Sequence, residues 1–196
     1  AHSMDLTGLS FVAEDPAASN KNPAIGVVSV AEMLAGCSKI EAVRTMAAAS
    51  EVPAGTCALP AGGDTSALKS ARGMLSDMAA LTTVDIAGLG EGASGASFAG
   101  FAAGSLIEPG SSLKLTDVAT GEAASLAGAF KGCAGLEAVE LTRVGGARLD
   151  ATSAFEGCAA LTDATVASFG AARSDLTRAF AGCATDLRGQ KTVTYR

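Results

Sequence analysis

The sequence predicts a solenoid, a stack of short coils with brief parallel strands on one face and short helical or 3₁₀ turns and loops on the other. Three observations carry this. The segment A-F-K-G-C-A-G-L-E-A-V (Ala129 to Val139) returns as A-F-E-G-C-A-A-L-T-D-A (Ala154 to Ala164) and begins again as A-F-A-G-C-A-T-D-L (Ala179 to Leu187). Cys133, Cys158 and Cys183 lie 25 residues apart, as do Phe130, Phe155 and Phe180. Within each copy, apolar residues first recur every third position and then alternate. A unit this short cannot enclose its own apolar residues, so it must stack on copies of itself.

Each element of the repeat has a physical reading. The template is F-x-G-C-x-x-L-x-x-V-x-L-x-x-[V/F/L]. The alternating pair V-x-L points to one side of a short strand, and equivalent strands of successive coils form a parallel sheet. Phe130, Cys133 and Leu136, at i, i+3 and i+6, suit a helical or 3₁₀ turn with one buried face. Asp150 and Asp175 each stand five residues before the template Phe, where they serve as N-caps of that turn. A calcium ladder is the alternative for these two aspartates, but neither has a second carboxylate or an asparagine close by.

Weaker copies extend the pattern upstream. Leu75, Leu81, Val84, Ile86 and Leu89 fit the template with Met78 in place of the cysteine. Leu34, Cys37, Ile40 and Val43 form the copy before it, and Leu6, Leu9 and Phe11 fit the strand of an N-terminal capping turn. A degraded copy begins at Phe98 and Phe101 and resumes at Leu113, Leu115 and Val118. Excess residues fall near 15–23, 47–64 and 102–112, all marked by proline or glycine, and these are expected to be surface loops. Residues 5–196 are therefore expected to form one domain. Ala1-His2-Ser3-Met4 is read as an expression-vector remnant, which removes His2, the sole histidine, from any functional argument.

The repeat A-F-x-G-C-x-x-L-x-x-V-x-L resembles the BspA-type leucine-rich repeats of bacterial surface proteins and the related repeat of mycoplasma lipoproteins. The match is strong from Ala129 to Leu187 and fair at Met33 to Val43 and Met74 to Leu89. It departs from the family in its many alanines, its insertions and the methionine at position 78. The resemblance implies a right-handed leucine-rich-repeat solenoid displayed on a bacterial cell surface or secreted, often serving adhesion or host contact.

Composition narrows the functional classes. The chain of 196 residues is 48% hydrophobic but only 4% aromatic, which suits thin, tightly stacked coils better than a thick globular core. Its net charge of −6 is dispersed, against a nucleic-acid groove or a polybasic membrane patch. No stretch approaches the roughly 20 apolar residues of a membrane span. The N-terminus has no signal-peptide pattern, and any export signal is expected to lie outside this sequence.

Catalytic signals are thin. A Ser-His-Asp or Cys-His site lacks a usable histidine. Gly88-Leu-Gly90-Glu-Gly92-Ala-Ser-Gly95 lacks the G-K-[S/T] ending of a phosphate loop and reads as a turn between coils. Nothing selects a carboxylate pair for acid–base work. Five cysteines without a C-x-x-C spacing do not describe a metal site, so no cofactor or metal is expected. Cys133, Cys158 and Cys183 are expected to form a column of buried thiols acting as small hydrophobes. Disulfides within that column are the alternative. Cys57, inside an insertion, is expected to be the exposed thiol.

The candidate site is the outward face of the strands. Arg44, Asp85, Lys114, Glu140 and Thr165 lie between the alternating apolar positions. Glu41, Thr82, Thr83, Glu137, Thr162 and Asp163 lie just before them. Such a face is one that stacked repeats use to meet partners, here an unknown protein or host-surface ligand. The strands carry no outward aromatic anchor, so any contact there is expected to be polar and modest. A spacer that projects another domain is the alternative function. Val193 and Tyr195 are expected to form a last strand whose open edge permits end-to-end self-association, a disordered tail after Leu187 being the alternative.

Overall fold

The computed structural model describes residues 3–7, 28–47, 52–61, 65–170 and 173–184. Among these described residues, twelve strands form two sheets. The first has the order β1 (Met4–Asp5), β4 (Thr56–Pro60), β3 (Ala42–Met46), β6 (Thr83–Ala87), β8 (Ser111–Thr116), β10 (Leu136–Thr142), β12 (Asp163–Val166). The second has the order β11 (Arg148–Asp150), β9 (Ala123–Ser125), β7 (Ala96–Ser97), β5 (Leu68–Ser70), β2 (Val28–Ser29). Every pairing is parallel. From β5 to β12 the chain visits the two sheets alternately, so each coil contributes one strand to each.

The alternating apolar residues fill the space between the sheets. Val84, Leu113, Val139 and Ala164 form one buried row across the first sheet, and Ile86, Leu115, Leu141 and Val166 the next. Phe130, Phe155 and Phe180 stack along the coils, with ring centroids 5.0 Å and 5.2 Å apart and planes nearly parallel. Such stacked pairs add to the area that the rings bury. Leu149 and Leu126 close the core from the second sheet and its following turn.

The predicted helical turns are absent: the described residues contain no helix, and the F-x-G-C segment is a pair of β-turns instead. The reason is a left-handed residue at two points in each coil. Gly128 and Gly132 have φ of 59° and 76°, and Ser153 and Gly157 have 56° and 80°. A positive φ in the third place of a turn is the mark of type II geometry, and it interrupts a right-handed helix. The hydrogen bonds alternate accordingly. The amides of Ala129 and Cys133 donate three residues back, to Leu126 and Phe130. Those of Gly128, Phe130 and Gly132 donate to Thr152, Ala154 and Glu156 of the next coil. A helix would keep these bonds within one coil, whereas this arrangement ties each coil to its neighbour. Asp150 and Asp175 do act as caps, but of turns: each carboxylate accepts the amide two residues on, from Thr152 at 3.1 Å and Thr177 at 2.9 Å. Their counterparts in earlier coils are Ser29, Ser70, Ser97 and Ser125.

The register corrects two readings of the weak copies. The amide of Gly104 donates to the Lys131 carbonyl and that of Gly132 to Glu156, so Gly104 and Gly132 are equivalent. Ser105 therefore stands in the cysteine place, and Phe101 in the place of Ala129. Gly104 and Gly132 are 28 residues apart, so the excess expected near 102–112 amounts to only three residues over the 25-residue period.

The second correction concerns residues 47–64, which were expected to be a surface loop. They contain β4, inserted into the first sheet between β1 and β3, with Cys57 opposite Val43 and Met4 opposite Cys57. Cys57 is consequently fully buried, not exposed. The N-terminal strand is Met4–Asp5, with Leu6 packed partly against the core. Leu9, Phe11, the 15–23 insertion, Val193 and Tyr195 lie outside the described residues.

Glycine is sterically required where coils come closest. A Cβ at Gly146 would lie 1.6 Å from the Gly121 carbonyl oxygen, and one at Gly121 would lie 2.1 Å from that of Ala93. Backbone cannot yield there as a flexible side chain would.

Candidate interaction face

The outward residues of the first sheet form rows that run across the strands. The central row places Arg44 beside Asp85, Asp85 beside Lys114, Lys114 beside Glu140, and Glu140 beside Thr165. Parallel pairing brings these residues together because each occupies the same place in its coil, with neighbouring strands about 4.8 Å apart. Lys114 and Glu140 form an ion pair at 3.3 Å, with both side chains about half exposed. An exposed pair of this kind contributes little to stability. Its charges remain available to a partner.

The row before it contains Ala42, Thr83, Ser112, Ala138 and Asp163. The row after it contains Met46, Ala87, Thr116 and Thr142. Most of these flanking side chains are small, so the charged row is the relief of the face. The central row, with Thr83, Ser112, Ala138 and Asp163 of the row before it, lines a shallow hollow of about 390 Å³. Ser112 and Ala138 were not singled out from sequence, although the same alternation identifies both.

Four of the eleven predicted face residues sit elsewhere, along the edge where the strands begin. Register slips between Leu136 and Ala138, so Glu137 has no register partner on β8. Its carboxylate accepts the Gly110 amide at 2.9 Å. Glu41 packs over Gly55, where an added Cβ would lie 2.9 Å from its carboxyl group. Thr82 donates its hydroxyl to the Glu41 carbonyl at 3.1 Å, and the Thr162 amide donates to that of Glu137 at 3.2 Å. These residues build the edge of the sheet, whereas Arg44, Thr83, Asp85, Lys114, Glu140, Asp163 and Thr165 compose its face.

A second hollow, of about 230 Å³, opens where β3, β4 and β6 end, lined in part by Thr45, Pro60, Thr65, Glu91 and Asp117. Hydrogen bonds from the Arg143 guanidinium hold the Asp117 carboxyl below its ordinary range. The Thr65 hydroxyl donates to the Gly88 carbonyl and accepts the Glu91 amide, which orders the glycine-rich loop as a corner between the sheets.

Among the described residues no group of three or more His, Cys, Asp or Glu could hold a metal ion. All five cysteines are free thiols. No helix among those residues is long and apolar enough to cross a membrane. Comparison with known proteins finds no matching family model, no similar curated protein and no similar solved structure.

Proposed function

We propose that this chain is a right-handed leucine-rich-repeat solenoid of the BspA type. In this reading it is a non-catalytic domain of a bacterial cell-surface or secreted protein, and it binds a protein or host-surface ligand through the outward face of the first sheet. The observation that carries the reading is the row Arg44, Asp85, Lys114, Glu140. Four consecutive strands present charge of alternating sign on a field of small side chains. Such a surface discriminates partners by charge order and favours rapid, salt-sensitive encounter over tight apolar burial.

The test uses beads coated with the chain, applied to epithelial monolayers and to immobilised extracellular-matrix glycoproteins. Native beads should adhere. The variant Arg44→Ala/Lys114→Ala/Glu140→Ala should lose about tenfold in adherence. Lys69→Ala, on the second sheet, should change nothing. Native adherence no greater than that of uncoated beads, or an unaffected triple variant, overturns the reading.

A spacer that projects another domain is the second reading, favoured by the Lys114–Glu140 pair, which satisfies part of the face internally. Absence of native adherence supports it.

A further inference from the structure

We infer that the charged face of the first sheet docks against the same face of a second copy of this chain, forming a closed two-fold dimer. The inference rests on the reading of this face as a binding surface and names an occupant for it. Its basis is the order of charges along the row. From β3 to β10 the row reads Arg44, Asp85, Lys114, Glu140: positive, negative, positive, negative.

Two copies of a face can meet about an axis lying in the interface. An axis along the row would set each charge against itself, with Arg44 on Arg44 and Asp85 on Asp85. An axis parallel to the strands, passing between β6 and β8, reverses the order of the row. Arg44 then faces Glu140 of the other copy, and Asp85 faces Lys114. All four positions become complementary, and two-fold symmetry makes each contact twice. The charge order therefore selects one axis and rejects the other.

The surroundings permit the approach. On the four strands the positions facing each other in the flanking rows are Ala42 with Ala138, Thr83 with Ser112, Ala87 with Thr116, and Met46 with Thr142. None carries charge, and three of the four pairs contain only small side chains. The patch is bounded on one side at β4, where Ala58 is fully buried. Asp163 and Thr165, on β12, lie beyond the four-strand patch on the other side. The Lys114–Glu140 pair within each copy becomes part of a network of charges between copies. Since the contact is polar and partly hydrated, salt weakens it.

Sedimentation of the intact chain tests this. The native chain should dimerise, and raising the salt from about 0.05 M to about 0.5 M should weaken the dimer roughly tenfold. Asp85→Lys places like charges together twice and should abolish dimerisation. Adding Lys114→Asp restores opposite charges at both contacts and should recover the dimer. An external partner of fixed charge order would not be recovered in this way. Arg44→Glu, alone and with Glu140→Arg, asks the same of the outer pair if the inner variants fail to fold by circular dichroism. A monomer at about 1 mM in low salt overturns the inference. So does a dimer indifferent to Asp85→Lys, or failure of recovery in a folded double variant. A monomer whose beads still adhere removes this inference and leaves the binding reading standing.

Discussion

The thiol of Cys158 donates to the carbonyl oxygen of Phe130, one coil earlier, at 3.2 Å. The relationship repeats along the column: Cys133 donates to Ala102 and Cys183 to Phe155, both at 3.3 Å. Ser105 occupies the same place and donates its hydroxyl to Leu75 at 2.6 Å. The cysteine of F-x-G-C is therefore a small buried side chain that also carries a hydrogen-bond donor. Treating it only as a hydrophobe omits its second role.

Replacement of Cys158 should follow from that role. Cys158→Ser keeps the donor that Ser105 supplies elsewhere, and should cost less than about 1 kcal/mol. Cys158→Val removes the donor and adds volume, and should cost about 1–3 kcal/mol. Urea midpoints check the order, and a serine variant less stable than the valine variant would contradict it.

Thiol labelling should begin at Cys37 and Cys183, which are half-buried. Cys57, Cys133 and Cys158 are buried and should require opening of the fold. Burial pushes the Cys57 thiol up to about 11, and a hydrogen bond with Cys133 is the main influence raising Cys158 to about 12, so little thiolate exists at neutral pH. Peptide mapping after a short exposure to a thiol reagent tests this, and early modification of Cys57 would show that β4 is not held in the sheet.

Phe155 stacks on Phe130 and Phe180 and is fully buried. Phe155→Ala should cost about 3–5 kcal/mol, as for a large aromatic removed from a core. A denaturant midpoint equal to that of the native chain would separate the aromatic stack from the stability of the fold.

Glu156 sets a pH dependence. A hydrogen bond from Ser153 and one from Arg178 hold its carboxyl down to about 2, against an ordinary value of 4.5, and Lys131 adds a weaker attraction. A group whose folded value is depressed stabilises the fold above its unfolded value. That stabilisation should fade as pH falls from 4.5 towards 2. Glu156→Gln should flatten the thermal midpoint against pH across this window, and an unchanged slope would show that the cluster does not contribute.

The repeat was legible because stacking demands that each coil present the same kind of residue in the same place. The 25-residue spacing, the alternating V-x-L pair and the Phe and Cys columns are all visible in the order of the amino acids. Arg44, Asp85, Lys114 and Glu140 were placed on one face by that logic alone, since a period of two assigns each residue to one side of a strand.

The three-dimensional arrangement decided what periodicity cannot express. Apolar spacing at Phe130, Cys133 and Leu136 fits a helical turn as well as a pair of β-turns, because both bury the same side chains. The choice was made by left-handed φ at Ser153 and Gly157 and by amides that reach the next coil instead of their own. Residues 47–64 resembled a loop because β4 pairs through its backbone with the strand before it, β3, and with the remote β1, contacts outside the 25-residue period that leave no periodic mark. Cys57 became buried for that reason. Glu137 left the face because a register slip turned it aside, and such a slip is a property of two strands together. The sequence by itself determined which residues recur and which side of a strand they occupy; only the tertiary structure decided where backbone hydrogen bonds cross between coils, because those bonds involve groups that every residue shares.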